Sequence, residues 1–386
     1  MTDLLQRLLG DIETLVRCES PSSDLAAVAR SADVVARLGS ERLGVAPEVI
    51  VRDGRTHHLR WRLGDPAAPA RVLLLGHHDT VWPLGSLATH PYATSGNVLR
   101  GPGCFDMKAG VVLALHAAAA LPDPTGVTIL ITGDEELGSP SSRELIEADA
   151  AGCAAALVLE ASADDGALKT ERKGVSLYQV TAEGRAAHAG LEPERGVNAS
   201  LELAHQLLAV ESFGDAQRGT TVTPTSLSAG TTTNTVPAQG RFAVDVRVRD
   251  AAEQQRVDTA MHALSPVLAG ARIVVSGGPN RPPLEAAASA ALFAHAERLA
   301  AELGLPPLRS AAVGGASDGN FTAGIGTPTL DGLGAVGGGA HADDEHVLID
   351  ELPGRLALLT ALLADLLAPA QSGATNPAAA SGVTQP

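Results

Sequence analysis

The chain has 386 residues, more than one ordinary core needs and enough for two domains. Hydrophobic residues make up 45% and aromatics only 2%, so Ala, Leu and Val carry the packing, and a nucleic-acid surface built on base stacking is argued against. The formal net charge is −16 and no basic stripe is present, which again argues against nucleic acid, while local arginines can still receive an acidic substrate.

Cys18, Cys104 and Cys153 are odd in number and far apart, so a disulfide framework is not expected. Reduced thiols and a cytoplasmic location are the simple expectation. Leu4, Leu5, Leu8, Ile12 and Leu15 recur at helical spacing among charges, which predicts an amphipathic first helix rather than a signal peptide. No run of about eighteen apolar residues occurs, so no membrane span is expected.

Residues 71–76 read as a buried strand ending at a glycine, 110–121 as a buried helix and 127–132 as a β-branched strand. A helix near 140–149 and a strand at 154–159 follow. This alternation predicts an α/β fold with a mixed, largely parallel sheet flanked by helices, and function beyond the carboxyl ends of its strands. From residue 174 the rhythm changes. Residues 174–182 alternate like a half-buried strand, then come a helix at 198–210, strands at 221–229 and 240–249, a helix at 251–268 and a strand at 271–276. That β-α-β-β-α-β order is ferredoxin-like. The α/β pattern resumes near 284 and ends in a helix at 350–367. The expected organisation is a catalytic domain of residues 1–173 and 284–368, an inserted α+β domain of 174–283, and a disordered tail at 369–386, which lacks periodicity and apolar bulk.

Five short stretches hold metal-ligand residue types: His77-His78-Asp79, Asp106 in the glycine-rich loop Gly101–Lys108, Glu135-Glu136, Glu160 and His341. Each alone has a plain reading, as a polar strand end, a helix cap, a solvated charge run or a histidine in a flexible loop. The glycine-rich loop lacks the Gly-Lys-Ser/Thr ending of a phosphate loop. Asp79 lies two residues from His77 in an extended segment and is placed to fix an imidazole tautomer, whereas His78 faces the other way and is structural. In a two-metal hydrolase, one of the paired glutamates would bind metal and its neighbour would move protons. Together the five stretches offer two histidines, a carboxylate to share and two further glutamates, enough for three protein ligands on each of two zinc ions.

In this order, Gly76-His77-His78-Asp79-Thr80-Val81, Gly101-Pro102-Gly103 through Asp106-Met107-Lys108, Asp134-Glu135-Glu136-Leu137-Gly138-Ser139, Glu160 and the loop ending in His341 resemble the co-catalytic di-zinc metallopeptidases. That family includes glutamate carboxypeptidase of the carboxypeptidase G type, aminoacylase, acetylornithine deacetylase and succinyl-diaminopimelate desuccinylase. Gly184 through Gly190 and Pro193 through Ala199 are most similar to the glutamate carboxypeptidase branch. The resemblance implies two Zn2+ per subunit, with Co2+ or Mn2+ as substitutes. Asp106 would bridge them, His77 and Glu160 complete one, and Glu136 and His341 the other. Glu135 would be the general base and acid, Asp79 would support the site, and the peptide bond after Asp106 would be strained, in a cis form. The resemblance also implies a homodimer formed through residues 174–283, in which His188 reaches the partner's active site and supports the oxyanion. Asn234 and Arg247 match substrate-side residues, and Arg281 is a further candidate for a carboxylate contact.

The implied reaction is hydrolysis of an amide bond in a small N-acyl amino acid or dipeptide-like molecule with a free carboxylate, a C-terminal glutamate first. Glu135 would take a proton from a bridging water and later protonate the leaving amine. A deacetylase, desuccinylase or dipeptidase of the same family is the alternative. A non-catalytic metal-binding protein on this fold would have lost the base or a ligand, and neither is lost. An oxidoreductase would need a strand–Gly-x-Gly-x-x-Gly–helix context, which the glycine loop lacks.

Overall fold

A computed structural model describes residues 2–52, 56–65 and 67–368; the tail expected at 369–386 lies outside the described residues. The first part of the chain supplies helices α1 (Thr2–Val16) and α2 (Leu25–Leu43), then strands β1 (Glu48–Arg52), β2 (Thr56–Arg62) and β3 (Val72–His77). Helix α3 (Ala109–Ala119), strand β4 (Val127–Thr132), helix α4 (Arg143–Ala150) and strand β5 (Ala155–Val158) follow. The central sheet runs β1-β2-β4-β3-β5, with the short strand Thr329–Leu330 at its far edge. Strands β4, β3, β5 and Thr329–Leu330 pair in parallel, while β2 pairs antiparallel with both β1 and β4.

Every residue of β3, β4 and β5 is buried, as expected of apolar strands covered on both faces. Side-chain alternation splits them between two cores. Val72 and Leu74 of β3 pack with α1, α2 and α3, while Leu73 and Leu75 pack with Leu145, Ile146 and Ala150 of α4. Each such side chain contributes about 1.5–3 kcal/mol on burial. Helix α1 is amphipathic as its spacing predicts, with Leu8, Ile12, Leu15 and Val16 buried.

Residues 174–281 form a second sheet, from β6 (Gly174–Glu183), β7 (Thr221–Ala229), β8 (Gln239–Val248) and β9 (Arg272–Arg281), with helices α5 (Ala199–Glu211) and α6 (Ala251–His262). Strand order is β7-β8-β6-β9 with antiparallel neighbours, the ferredoxin-like arrangement. It has a core of its own, in which Tyr178, Val180 and Ala182 of β6 meet Leu203, Phe242, Val244, Val257 and Met261. Asn198 caps α5 through the N–H groups of Ser200 and Leu201, and Asp250 caps α6 through Glu253 N–H. Two boundaries differ from expectation. Helix α6 stops at His262, ahead of Ser265-Pro266, where proline cannot continue a helix. Strand β9 continues past residue 276 through Gly277, Gly278 and Pro279, weak strand formers that hide its length, and so carries Arg281 toward the first sheet.

The chain then returns through α7 (Ala286–Glu302) and ends in α8 (Leu352–Leu367), which packs on α3 and α7. Among the described residues no helix is long and apolar enough to cross a membrane.

Candidate metal centre

Parallel pairing aligns the carboxyl ends of β4, β3 and β5. His77 closes β3 opposite Thr132, the last residue of β4, and Glu160 follows β5 on the other side. After β4 the chain turns through Asp134 into a short helix, Glu135–Leu137, which sets both glutamates above the sheet edge. Asp106 comes from the loop before α3, where the Asp106–Met107 peptide bond is cis, as the family resemblance implies. His341 arrives from a separate loop with φ of 63°.

These residues meet in two groups that share Asp106. His77 Nε2 lies 3.3 Å from Asp106 Oδ1 and 3.5 Å from Glu160 Oε1. His341 Nε2 lies 3.3 Å from Asp106 Oδ2 and 3.3 Å from Glu136 Oε2. Possible ligand atoms of His77, Asp106 and Glu136, and of His77, Glu135 and Glu160, lie within 4.8 Å of one another. His77 Nε2, Asp106 Oδ1 and Glu136 Oε1 are buried without a hydrogen-bond partner. Such atoms are costly to bury unless something compensates them.

The surrounding groups aim this set. His77 Nδ1 is 3.0 Å from the Asp79 carbonyl, which can only accept, so Nδ1 carries a proton and Nε2 faces the cluster. The Asp79 carboxylate accepts from Ser22 Oγ at 2.6 Å and from the N–H groups of Glu135 and Glu136 at 3.2 Å each. It therefore links the histidine strand to the glutamate turn. Asp134 accepts from Ser141 N–H, Ser141 Oγ and Ser142 Oγ and fixes the other end of that turn. Glu160 faces Arg172 Nη2 at 3.5 Å, and Arg172 forks onto Asp331 at 2.7 and 3.2 Å. The Glu345 carboxylate accepts from the N–H groups of Gly103, Phe105 and Asp106 at 2.8–3.0 Å.

Titration follows this crowding. Burial and the Asp318 and Glu160 charges hold Glu135 well above the usual carboxylate range, against the pull of Arg281 and His77. Burial works against charge on Asp106 as well, but the His341 and His77 imidazoles overcome it and hold Asp106 well below the usual range. Burial opposes a proton on His77, yet Asp106, Asp79 and Glu160 keep it well above the usual imidazole range. Hydrogen bonding to Asp106 and Glu136 raises His341 to about 10. The site therefore favours positive charge at both imidazole Nε2 positions.

Of the remaining expected residues, Arg281 sits at the site: its Nη2 donates to Glu135 Oε1 at 2.9 Å, Ser139 Oγ at 2.9 Å and Asp318 Oδ1 at 3.1 Å. His188 and Asn234 are brought together instead in the inserted unit, where Ala187–His188 pairs with Thr235–Val236 and the Asn234 carbonyl accepts Ala189 N–H. Both are exposed, and among the described residues neither is hydrogen-bonded to the metal-ligand set. Arg247 forks onto Asp245, its neighbour two residues back along β8. His78 turns away, to Ser31 Oγ and the His57 carbonyl. Sequence reasoning did not single out Glu345, Asp318, Ser139, Arg172 or Asp331. Of these five, only Ser139 stands in a stretch that carries the family resemblance, Asp134–Ser139.

The family model described as peptidase family M20/M25/M40 matches residues 73–365. Carboxypeptidase G2 of Pseudomonas sp. (strain RS-16) is 30% identical over 389 residues, covering 95% of this chain and 90% of that protein. A succinyl-diaminopimelate desuccinylase of Paracoccus denitrificans (strain Pd 1222) is 30% identical over 375 residues, covering 88% and 92%. Among solved structures, the M20 family metallo-carboxypeptidase Sso-CP2 from Sulfolobus solfataricus superposes with a TM-score of 0.71 at 16% identity, over 93% of this chain and 99% of that one. Aminopeptidase PepT from Bacillus cereus gives 0.70 at 21%, over 94% and 98%. Both structural likenesses concern the fold.

Proposed function

The chain belongs to peptidase family M20/M25/M40, and from that membership we propose a two-metal amide hydrolase acting on small N-acyl amino acids or dipeptide-like substrates with a free carboxylate, in the manner of a glutamate carboxypeptidase. The observation that carries this reading is the shared carboxylate: Asp106 offers one oxygen to the His77–Glu160 group and the other to the His341–Glu136 group. The donor set fits a pair of divalent cations, because it leaves three buried ligand atoms without a partner and consists of imidazoles and carboxylates. Zn2+ suits these atoms, and Co2+ or Mn2+ suits them as well. His77, Glu160 and Asp106 would hold one ion, and Glu136, His341 and Asp106 the other. When bound, such a pair supplies Lewis acidity toward a carbonyl and acidifies water.

The chain's own residues perform the proton work in this reading. Glu135 is buried beside His77 and Glu160 and outside the shared-oxygen contacts, so it takes a proton from the attacking water and returns it to the leaving amine. Asp79 holds His77 in the tautomer that turns Nε2 inward. His188 of the partner subunit supports the oxyanion in a homodimer formed through residues 174–283, with Asn234 and Arg247 on the substrate side. Arg281 spends its Nη2 on Glu135, Ser139 and Asp318, and its buried Nε, which has no partner, remains for a substrate carboxylate. Identity to carboxypeptidase G2 supports the exopeptidase reading, and identity to a succinyl-diaminopimelate desuccinylase supports deacylation as the second.

Metal analysis coupled to hydrolysis of a panel of N-acyl amino acids and dipeptides tests the reading. Glu135→Gln is expected to keep its metal and to lose about 10²–10⁴-fold in kcat. Retained turnover in that variant would remove Glu135 from its role.

A further inference from the structure

The segment that follows Glu160 lines an open cavity of about 550 Å3, of a size that admits a small substituent. It is lined by the paired parallel strands Leu168–Arg172 and Ser310–Val313 and by the loop from Ala163 to Asp165. Three cations line it: Lys169, Arg172 and Arg309. Two are already engaged. Arg172 is held by Asp331 and faces Glu160, and Arg309 pairs with Asp165. Lys169 differs, because among the described residues its ammonium makes no hydrogen bond or ion pair. Its backbone is nevertheless fixed, since Lys169 N–H donates to the Asp331 carbonyl at 2.9 Å.

We infer that this cavity is the subsite for a second anionic group of the substrate, a side-chain or acyl carboxylate, and that Lys169 is the residue that selects for it. The inference rests on the amide-hydrolase reading for its place in a reaction. Its position follows from Arg172, which lines the cavity and stands 3.5 Å from Glu160 Oε2, so one side chain links the cavity to a proposed metal ligand. Its polarity follows from Lys169, a half-buried ammonium that a ligand carboxylate would satisfy with a charge-assisted hydrogen bond. Burial and the Arg172 charge push this ammonium below its usual range, while Glu160, Asp331 and Asp106 pull the other way, which puts it within electrostatic reach of the centre. Asp164 also lines the cavity, but it is exposed, and solvent screens its charge more than that of a buried group.

The test uses the metal-loaded full chain and two matched substrate pairs: an N-acyl glutamate against its glutamine analogue, and a succinyl against a butyryl amino acid. The two pairs separate a side-chain carboxylate from an acyl one. In one pair the wild type should favour the acidic member by about tenfold or more in kcat/KM. Lys169→Met should abolish most of that ratio, and Lys169→Arg should retain it. An unchanged ratio in Lys169→Met, or no preference in the wild type, overturns the inference and leaves the hydrolase reading standing. If no member of either pair is hydrolysed, calorimetry with glutamate against glutamine and succinate against butyrate decides. Tighter binding of a dicarboxylate that is lost in Lys169→Met upholds the subsite while the hydrolase reading falls. Equal binding of the two members overturns the subsite.

Discussion

Glu345 contributes no atom to the proposed metal-ligand set, yet its carboxylate gathers the N–H groups of Gly103, Phe105 and Asp106 and the indole N–H of Trp82 at 2.5 Å. Four donors converging on a buried side chain fix the loop from which Asp106 reaches both histidines. Burial pushes Glu345 above the usual carboxylate range, and the backbone N–H groups and Trp82 oppose that push. Glu345→Gln would turn an NH2 donor toward backbone donors and leave at least one buried N–H unsatisfied. The expected result is a loss of about 10–100-fold in metal affinity, as for other residues that orient a ligand. Competition with a chromophoric chelator measures it, and wild-type affinity in the variant would show that the loop holds Asp106 without this carboxylate.

At the scale of elements, one buried carboxylate joins three helices. Asp11 on α1 accepts from Arg42 on α2 at 2.6 and 2.7 Å and faces His116 on α3 at 2.6 Å. Burial raises its pKa, but His116 and Arg42 outweigh burial and leave it below the usual value. A depressed folded pKa adds stability above the unfolded value of about 4, and that stability is lost as pH falls through the folded value. Asp11→Asn should therefore cost about 2 kcal/mol at pH 7, and the gap to the wild type should close below about pH 4. Urea unfolding at pH 7 and pH 3 measures both; an equal gap at the two values would mean that Asp11 acts through packing alone. Elements of this kind were unevenly legible in the sequence. Strands β3, β4 and β5 announce themselves as apolar runs, because both faces are covered. The β1–β2 hairpin does not, since His57, His58, Arg60 and Arg62 interrupt its pattern. Those polar residues are satisfied by distant groups, Arg60 and Arg62 by Asp149 and His58 by Ser141.

For the molecule as a whole, the proposed ligands could be singled out only jointly: each stands at a strand end or in a loop, where a polar residue has a plain reading alone, and the signal lies in their occurring together in order along the chain. The groups that aim those ligands could not, because each acts on a segment far away in the chain: Glu345 on Asp106, Asp331 on Arg172, and Asp318 on Arg281. The inserted sheet raises a different question. Its helices cover one face, and the other leaves Leu177 50% and Leu227 59% exposed. His188 and Asn234 sit exposed on the same unit. A partner chain that placed this unit over a second metal centre would complete two sites with residues from both chains. Mixed dimers of Glu135→Ala and His188→Ala distinguish that arrangement. In a mixed pair, the chain carrying His188→Ala keeps its own Glu135 and receives an intact His188 from its partner, whereas the other site lacks both. Each parent should lose at least about 10²-fold in kcat, and random re-association should restore about a quarter of wild-type turnover. If His188 served its own chain instead, every site in the mixture would lack one of the two residues, and turnover would stay at the parental level.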